Sequence, residues 1–449
     1  MTDLEMIVDR LIKKQKHHSL YFNYYDGDQP LVYSSERLRQ VFRDIDARFE
    51  ENWCAVVVDS VLERLNLRRF VVSENQPATD LINSLMASTE LQEDFDSVHL
   101  AALLTGEAIV IGWRDDTGIQ AYYNDPRQVE IVYDFQYPNI MRVAGKWWQG
   151  EDEYVYLTLY YADRLEYYRT ASKCQMKDIR EAKEFQLDET QGDKGVADNP
   201  FGVIPMMHLR RERRAIKSEL RNVITPQNAI NKLVSDMMVA AEFSAFKQRW
   251  VISNGDTDNL KNGPNSIWHL FGGDGMGQGT QVGEFSQTDL NMYLNAIDKL
   301  ALAVGVISRT PKHFFFMQAG DPSGEALIAM EAPLTHKARK YIRRWEPVWE
   351  RFASFLLGLA GLQVDPLTIH AMFEDPGTIQ PLTQAQIRQT NNSAGLPLLN
   401  QLRREGWADD ELRQLAADRQ EEMTANADLA QAYLDQARKN FDQGGGVNG

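Results

Sequence analysis

The sequence predicts an α+β fold, in which helices mixed with antiparallel strands precede a largely helical remainder. Three observations lead to it. Short runs rich in Val, Ile, Tyr and Trp recur between turn residues as far as Tyr161, the composition of half-buried strands. From Ser218 onward, apolar residues recur at spacings of three and four, the period of a helix with one buried face. Between two of these helical patterns, Arg309 to Ser323 carries the triplet Phe314-Phe315-Phe316 in loop-forming surroundings.

A chain of 449 residues has room for two or more domains, so core size is not limiting. No apolar run approaches the roughly 18 residues that span a bilayer, and no membrane association is expected; Phe355 to Leu362 is broken by glycines. The first residues, MTDLEMIVDRLIKK, mix acidic and basic side chains through an amphipathic helix, unlike a signal peptide. Cys54 and Cys174 are the only cysteines, too few for a disulfide framework or a thiolate metal cluster, and consistent with synthesis in a reducing cytoplasm. The net charge of −16 argues against tight nucleic-acid binding. It is compatible with a surface past which nucleic acid slides, where attraction would act as a brake.

Taken in order, Asp3 to Lys16 predicts an amphipathic helix, and Tyr21 to Tyr33 an aromatic turn segment. Trp53 to Leu65 has Val57, Val61 and Leu65 at helical spacing, and Phe70 to Val72 reads as a short strand. Asp80 to Leu103 reads as one helix burying Leu81, Leu85, Leu91, Phe95 and Leu103. Antiparallel strands are expected at Glu107–Trp113, Gln128–Asp134, Met141–Trp148 and Glu153–Tyr161. Lys177 to Asp198 is charged and weakly patterned, as in a solvent loop.

Thr225-Pro226 is a helix start, with Thr as N-cap and Pro in the first turn. Ile230, Leu233, Met237, Ala241 and Phe246 mark one face of that helix, to about Trp250. Asn254 to Ser286 holds eight glycines with little periodicity. Thr288 would cap the next helix, whose face is Met292, Leu294, Ile297, Ala301 and Val304. Leu327, Met330, Leu334, Tyr341, Trp345, Trp349 and Phe352 continue a helical face across a long segment. Pro333 and Pro347 should bend it, because each removes a donor and crowds the preceding turn. Thr383 to Phe441 is polar helix broken at Gly395 and Gly406, and the terminal GGGVNG should be disordered.

Motifs for catalysis are missing. The glycines at 273, 275, 277 and 279 lack the strand, helix and Gly-Lys-Ser/Thr that a phosphate loop requires. There is no His-Glu-x-x-His, no Gly-x-Ser-x-Gly, and no carboxylate cluster with a metal-ligand His. No catalytic residue, metal site or cofactor is expected. The adjacent His17 and His18 read as a solvated pair. The basic run His336, Lys337, Arg339, Lys340, Arg343, Arg344 reads first as a solvated face pairing with acidic neighbours, and second as a contact with an acidic subunit or DNA. Arg210, Arg211, Arg213 and Arg214 allow the same two readings. On composition alone Phe314 to Phe316 would be core, whereas the polar flanks Thr310–His313 and Gln318–Pro322 argue for a loop; Trp268 and Phe271 sit similarly.

The order of these elements resembles the portal proteins of tailed double-stranded-DNA bacteriophages, of the siphophage kind. The resemblance is carried by Tyr24 to Leu31 (YYDGDQPL), Asn52 to Val61 (NWCAVVVDSV), Asn124 to Val129 (NDPRQV) and Asn199 to Pro205 (NPFGVIP). Ser218-Glu219-Leu220 and Gly324-Glu325-Ala326-Leu327 complete it. It runs from about residue 20 to residue 360, and no single motif is specific.

The resemblance implies a portal fold with an α/β wing, a two-helix stem, a small clip, a tunnel loop, a long kinked helix and a helical crown. The corresponding ranges are 1–224 for the N-terminal wing, 225–250 and 288–308 for the stem helices, 251–287 for the clip and 309–323 for the tunnel loop. The kinked helix and wing return take 324–379, with Pro333 or Pro347 at the kink, the crown 380–443 and a disordered tail 444–449. It also implies a ring of twelve subunits at one capsid vertex of the virion, assembled in the host bacterial cytoplasm. Double-stranded DNA would pass through it without sequence specificity. The implied partners are the terminase large subunit, an adaptor or head-completion protein, and the major capsid and scaffold proteins. Channel residues would be Lys232 and Lys299 on the stem, with Arg309, Lys312, His313, Phe314, Phe315, Phe316 and Gln318 in the tunnel loop, the aromatics forming a collar near the axis. Trp268, His269 and Phe271 in the clip would dock partners. Two alternatives stay open: another oligomeric virion or scaffold protein without a channel, and a metal-dependent hydrolase using unclustered carboxylates.

Overall fold

The structure, a computed structural model, describes residues 1–29, 51–213, 215–245, 249–252, 281–284, 289–316, 323–377, 381–404 and 409–444. Over these the chain is a mixed α+β fold. The opening helix, α1 (Asp3–Asp26), starts with a reciprocal cap between Thr2 and Glu5 and stops at Gly27, whose φ of 84° suits a residue without a Cβ. It is longer than expected: Tyr21 and Tyr24 lie on its buried face, not in a turn. The stripe Ile7, Leu11, Lys14, His18, Tyr21 keeps helical spacing throughout, but two of its members are polar. They are buried by pairing with Glu107, so the pair His17-His18 is not a solvated one.

Next come α2 (Trp53–Leu62), β1 (Leu67–Val72), α3 (Gln76–Ser88) and α4 (Phe95–Thr105). The single helix expected from Asp80 to Leu103 is therefore two. Glu90 adopts φ 59° and the Gln92 N–H bonds back to Met86 O at 3.1 Å, which ends α3 while keeping Leu91 buried. Strands β2 (Glu107–Asp115), β3 (Gly118–Asn124), β4 (Val129–Tyr133), β5 (Met141–Gln149), β6 (Val155–Tyr160) and β7 (Arg164–Thr170) follow, then β8 (Phe185–Leu187), β9 (Val196–Asp198) and β10 (Met206–Arg210). Lys177 to Asp198 is thus no plain solvent loop: Ile179 and Phe185 are buried, and β8 and β9 both pair with β7.

One sheet has the order β10-β2-β3, and another runs β4-β5-β6-β7-β8 with β9 also on β7; all their pairings are antiparallel. Residues 107–112 of β2 are buried on both faces. Ala108 and Val110 enter the largest core, whereas Ile109 and Ile111 join Val129, Ile131 and Ala144 beneath the second sheet. Alternation along a strand thus divides β2 between two cores. A third core is formed where Ile7, Val8 and Leu11 of α1 cover Val143, Trp147, Val155, Leu157 and Leu159. The approach is close, since a Cβ at Gly145 would lie 2.3 Å from Ile7 Cγ2.

The helical part contains α5 (Ile224–Ala245), α6 (Asn291–Ser308) and α7 (Gly324–Leu359), with the antiparallel ribbon of β11 (Arg249–Ile252) and β12 (Gln281–Glu284) between the first two. Trp250 is therefore in a strand, and the helix ends before it. Asp289, whose Oδ1 accepts the Asn291 N–H at 2.9 Å, serves the start of α6; Thr288 lies outside the described residues. Helix α7 is one unbroken element that includes Pro333 and Pro347. Both prolines are on its exposed side, where water can serve the carbonyls that each leaves without a donor.

The other side of α7 forms the centre of the largest core. Leu334, Ala338, Tyr341, Trp345, Trp349, Phe352 and Leu356 pack with residues from α2, α3, α4 and β1. Trp345 stacks on His99 at 5.0 Å, and Trp349 donates to His99 Nε2 at 3.2 Å; burial pushes the imidazole down to about 3 and keeps it neutral. After α7, β13 (Ile369–Phe373) returns to pair with β1. Helices α8 (Pro381–Ser393), α9 (Leu398–Arg404) and α10 (Asp409–Gly444) follow, with Gly395 at φ 86° between the first two; Gly406 and residues 445–449 lie outside the described residues.

The fit of α1 on β5 is testable. Gly145→Ala should cost about 1–3 kcal/mol in urea unfolding through overpacking. Ile7→Ala should cost less in the Gly145→Ala background than in the wild type, because the two side chains compete for one space.

Candidate functional site

Two polar constellations hold the hairpin of α5, the β11–β12 ribbon and α6 to the rest of the chain. The first lies at the start of α5, where Gln227 and Asn231 are one turn apart and buried. Asn231 Nδ2 donates to Gln29 Oε1 (2.5 Å), and Asn231 Oδ1 accepts the Glu51 N–H (3.2 Å). Gln227 Oε1 accepts the Trp53 N–H (3.0 Å), while its Nε2 donates to Glu51 O. Tyr24 donates to Asn228 Oδ1 at 2.7 Å. This ladder clamps Gln29 and Glu51, which flank residues 30–50, onto one turn of α5.

The second constellation joins the end of α6 to α7. Lys337 Nζ donates to Ser308 O at 2.6 Å, placing a cation on the carbonyl end of α6. It also meets Glu219 Oε1 at 2.5 Å. Glu219 Oε2 accepts from Arg211 Nη1 (2.7 Å) and from the Tyr341 hydroxyl (2.7 Å), and Arg211 Nη1 lies 2.9 Å from that hydroxyl. Burial alone would raise the Glu219 pKa, but the charges of Lys337 and Arg211 hold it below the ordinary value. For Lys337 burial prevails over Glu219, so its pKa is lowered. Lys337 is therefore no part of a solvated face. In the same basic run, Arg339 pairs with Asp375 at 2.9 Å and Arg344 donates to Arg211 O, while His336, Lys340 and Arg343 are exposed.

The segment after α6 differs most from expectation. Arg309 ends the helix with φ 62° and is exposed, as is Lys312. Lys312 to Phe314 form a 3-10 turn that folds back onto the body. Phe315 is 8% exposed, in the largest core, with its ring centroid 5.1 Å from that of Trp53; Phe316 is 6.2 Å from the same ring, and Phe314 also packs on this core. Gly305 makes the space, since a Cβ there would be 3.2 Å from Phe315 Cε2. The triplet thus packs against the core of its own subunit, with Phe315 buried and Phe314 and Phe316 half-buried. Core burial outweighs the loop-like flanks. His313 Nε2 is 3.2 Å from Glu331 Oε1, whose other oxygen meets Arg64 at 2.8 Å.

Lys232 is half-buried and pairs with Asp236 one turn along α5, while Lys299 is exposed on α6. Gln318, Trp268, His269 and Phe271 lie outside the described residues. Sequence reasoning missed both sets, Glu219 with Arg211 and Gln227 with Asn231. The available signal was Ser218-Glu219-Leu220 just before a helix start, though nothing in it names Lys337 as the partner. Among the described residues no group of three or more His, Cys, Asp or Glu could hold a metal ion, and no helix is long and apolar enough to cross a membrane.

The long hairpin, its two polar anchors and the helix α7 that receives it are set in a chain matched by a family model. Residues 11–425 match "Phage portal protein, SPP1 Gp6-like", and the chain belongs to that family of phage portal proteins. Solved structures similar to it include one titled "Virion of native gene transfer agent (GTA) particle" (11% identity, 81% of this chain and 90% of the other, TM-score 0.45). Another is "Neck of native GTA particle computed with C12 symmetry" (11% identity, 86% and 94%, TM-score 0.46). No curated protein matches the chain.

Removing Lys337 should strand a buried carboxylate and a helix terminus. Lys337→Met should cost about 3–5 kcal/mol in urea unfolding at pH 7, and Lys337→Met with Glu219→Gln less than the sum of the two single changes. The depressed Glu219 pKa stabilises the fold above its ordinary value of 4.5, and this contribution is lost as pH falls toward the folded-state value. Glu219→Gln should therefore flatten the acid limb of stability below about pH 4.5.

Proposed function

We propose that this portal protein forms a ring, of twelve subunits in the virion, at one capsid vertex, and that DNA is packaged and ejected through it. The observation that carries this reading is the outer face of α6. Ile297, Ala301 and Val304 are buried against the subunit, yet Met292 (64% exposed), Leu302 (48%) and Val306 (73%) lie on the opposite side. A helix apolar on both sides requires a second cover, and a neighbouring copy in a ring supplies it. Helix α10 fits the same logic, with Met423, Leu429, Tyr433 and Leu434 exposed along it.

In this reading residues 1–224 form the wing, α5 and α6 the stem, and 251–287 the clip. Residues 309–323 make the tunnel loop, 324–379 the kinked helix and wing return, and 380–443 the crown. A net charge of −16 repels phosphates over most of the surface, so DNA finds no deep energy well in which to stop. Exposed Lys299, Arg309 and Lys312 register the strand without holding it, whereas the pairing of Lys232 with Asp236 weakens its role there. The clip, with Trp268, His269 and Phe271, docks the terminase large subunit and later the adaptor. No catalytic step is assigned to the chain.

Electron microscopy of the purified protein should show a ring with a central hole about as wide as duplex DNA; a monomer or closed dimer would sink the proposal. Leu302→Glu with Val306→Glu should weaken ring assembly at least about tenfold, or ~1.4 kcal/mol, by light scattering. Arg309→Glu with Lys312→Glu should leave the ring intact and change DNA packaging or ejection, read as DNA retained per particle.

A further inference from the structure

A polar cluster between α1 and the two large sheets has a property that the portal reading does not use. The Glu107 carboxylate, at the start of β2, is buried and accepts from three sides. Lys14 Nζ is 2.7 Å and His18 Nε2 3.0 Å from Oε1, and His208 Nε2 is 2.8 Å from Oε2. Lys14 also meets Glu130 Oε2 at 2.8 Å and Val129 O at 2.7 Å, and Arg10 meets Glu130 Oε1 at 3.3 Å. These groups come from α1, β2, β4 and β10, so they join the first helix to both large sheets.

The proton positions follow from the acceptors. A carboxylate only accepts, so each histidine carries its proton on Nε2. Nδ1 of His208 is then an acceptor, and it receives the Tyr133 hydroxyl at 2.9 Å. Nδ1 of His18 is buried without a hydrogen-bond partner. With both histidines neutral, Arg10 and Lys14 balance Glu107 and Glu130. A second proton on either ring breaks this balance. On His18 it creates a buried N–H with no acceptor, and on His208 it opposes the Tyr133 donor. The remaining charged neighbours add no negative charge: Arg210 lies over the Tyr133 ring at 4.5 Å, Arg351 acts on Tyr133, and Arg221 acts on His17.

We propose that this cluster is an acid-sensitive latch, which holds α1 on the two sheets at neutral pH and releases it when the buried imidazole of His208 takes up a proton. Lys14 and Glu107 keep their charge across that range. Burial opposes the charged forms of Lys14 and Glu107, yet their mutual attraction raises the Lys14 pKa, and Lys14 with the histidines holds Glu107 well below its ordinary value. For His208 burial outweighs Glu107 and lowers its pKa from the ordinary 6.5. A histidine depressed in the closed state favours opening below its unfolded pKa, so the latch is at full strength above about pH 6.5 and weakens below it. Opening should rise by up to about tenfold per pH unit where His208 is protonated only when α1 is free.

Hydrogen exchange on the full chain, corrected for intrinsic rates, tests this. Peptides covering residues 10–24 should open at least about tenfold more at pH 5.0 than at pH 7.5, while those covering 345–357 stay protected. With His18→Gln and His208→Gln together, the amide N–H groups replace the imidazole donors without titrating, and α1 should stay closed at both pH values. His17→Gln should keep most of the response, since His17 does not touch Glu107 and burial only partly covers it. Equal protection of α1 at both pH values in the wild type would overturn the proposal even if the double variant fails to fold. An undiminished response in that variant would do the same.

Discussion

The largest core of this subunit is organised around the apolar stripe of α7. At 1.5 Å per residue its 36 residues extend about 54 Å, and one stripe from Leu334 to Leu357 meets α2, α3, α4 and β1 in turn. The helix therefore acts as a ruler. Trp345 and Trp349 set its rotation by enclosing His99. That rotation places Lys337 on the end of α6 and Tyr341 on Glu219. At its far end Arg114 binds Leu359 O, tying β2 to the same helix. A rotation by one residue would separate all of these contacts together.

The two buried carboxylates show why apolar packing is not sufficient. Glu107 and Glu219 each sit in a dry site, each meets a lysine reaching in from a helix, and each shares its second oxygen with another donor. Buried ion pairs add little net stability because desolvation offsets their attraction. What they give is register. Lys14 finds Glu107 and Glu130 at only one rotation and one height of α1, and Lys337 finds Glu219 and Ser308 at only one position of α7. Each of these carboxylates thus fastens a helix to another part of the chain.

The sequence made the class of the fold legible, together with most strands of the first half and the order of the main helices, because apolar periodicity reports burial directly. It misled wherever a polar residue was inside or an apolar one faced outward. Lys14 and His18 interrupted the pattern of α1 and hid its true end at Asp26. Strand β13 was invisible because its partner β1 lies about 300 residues earlier, and periodicity carries no information on pairing at that distance. Phe315 was read by its polar neighbours, but the cavity that receives it is built by Gly305 and by Trp53, and Trp53 is far outside any local window. Pro333 and Pro347 were expected to bend the helix, and α7 is continuous through both. That α7 passes through both follows from their place on its exposed side.

The ladder at the start of α5 also bears on how the chain can diverge. Gln29 and Glu51 are both bound by Asn231, so two positions well separated in sequence are held against one turn of α5. Gln227 adds the Trp53 N–H and the Glu51 carbonyl to the same turn. A change at either amide therefore releases two contacts at once, and both positions should drift more slowly than the exposed positions of the same helix.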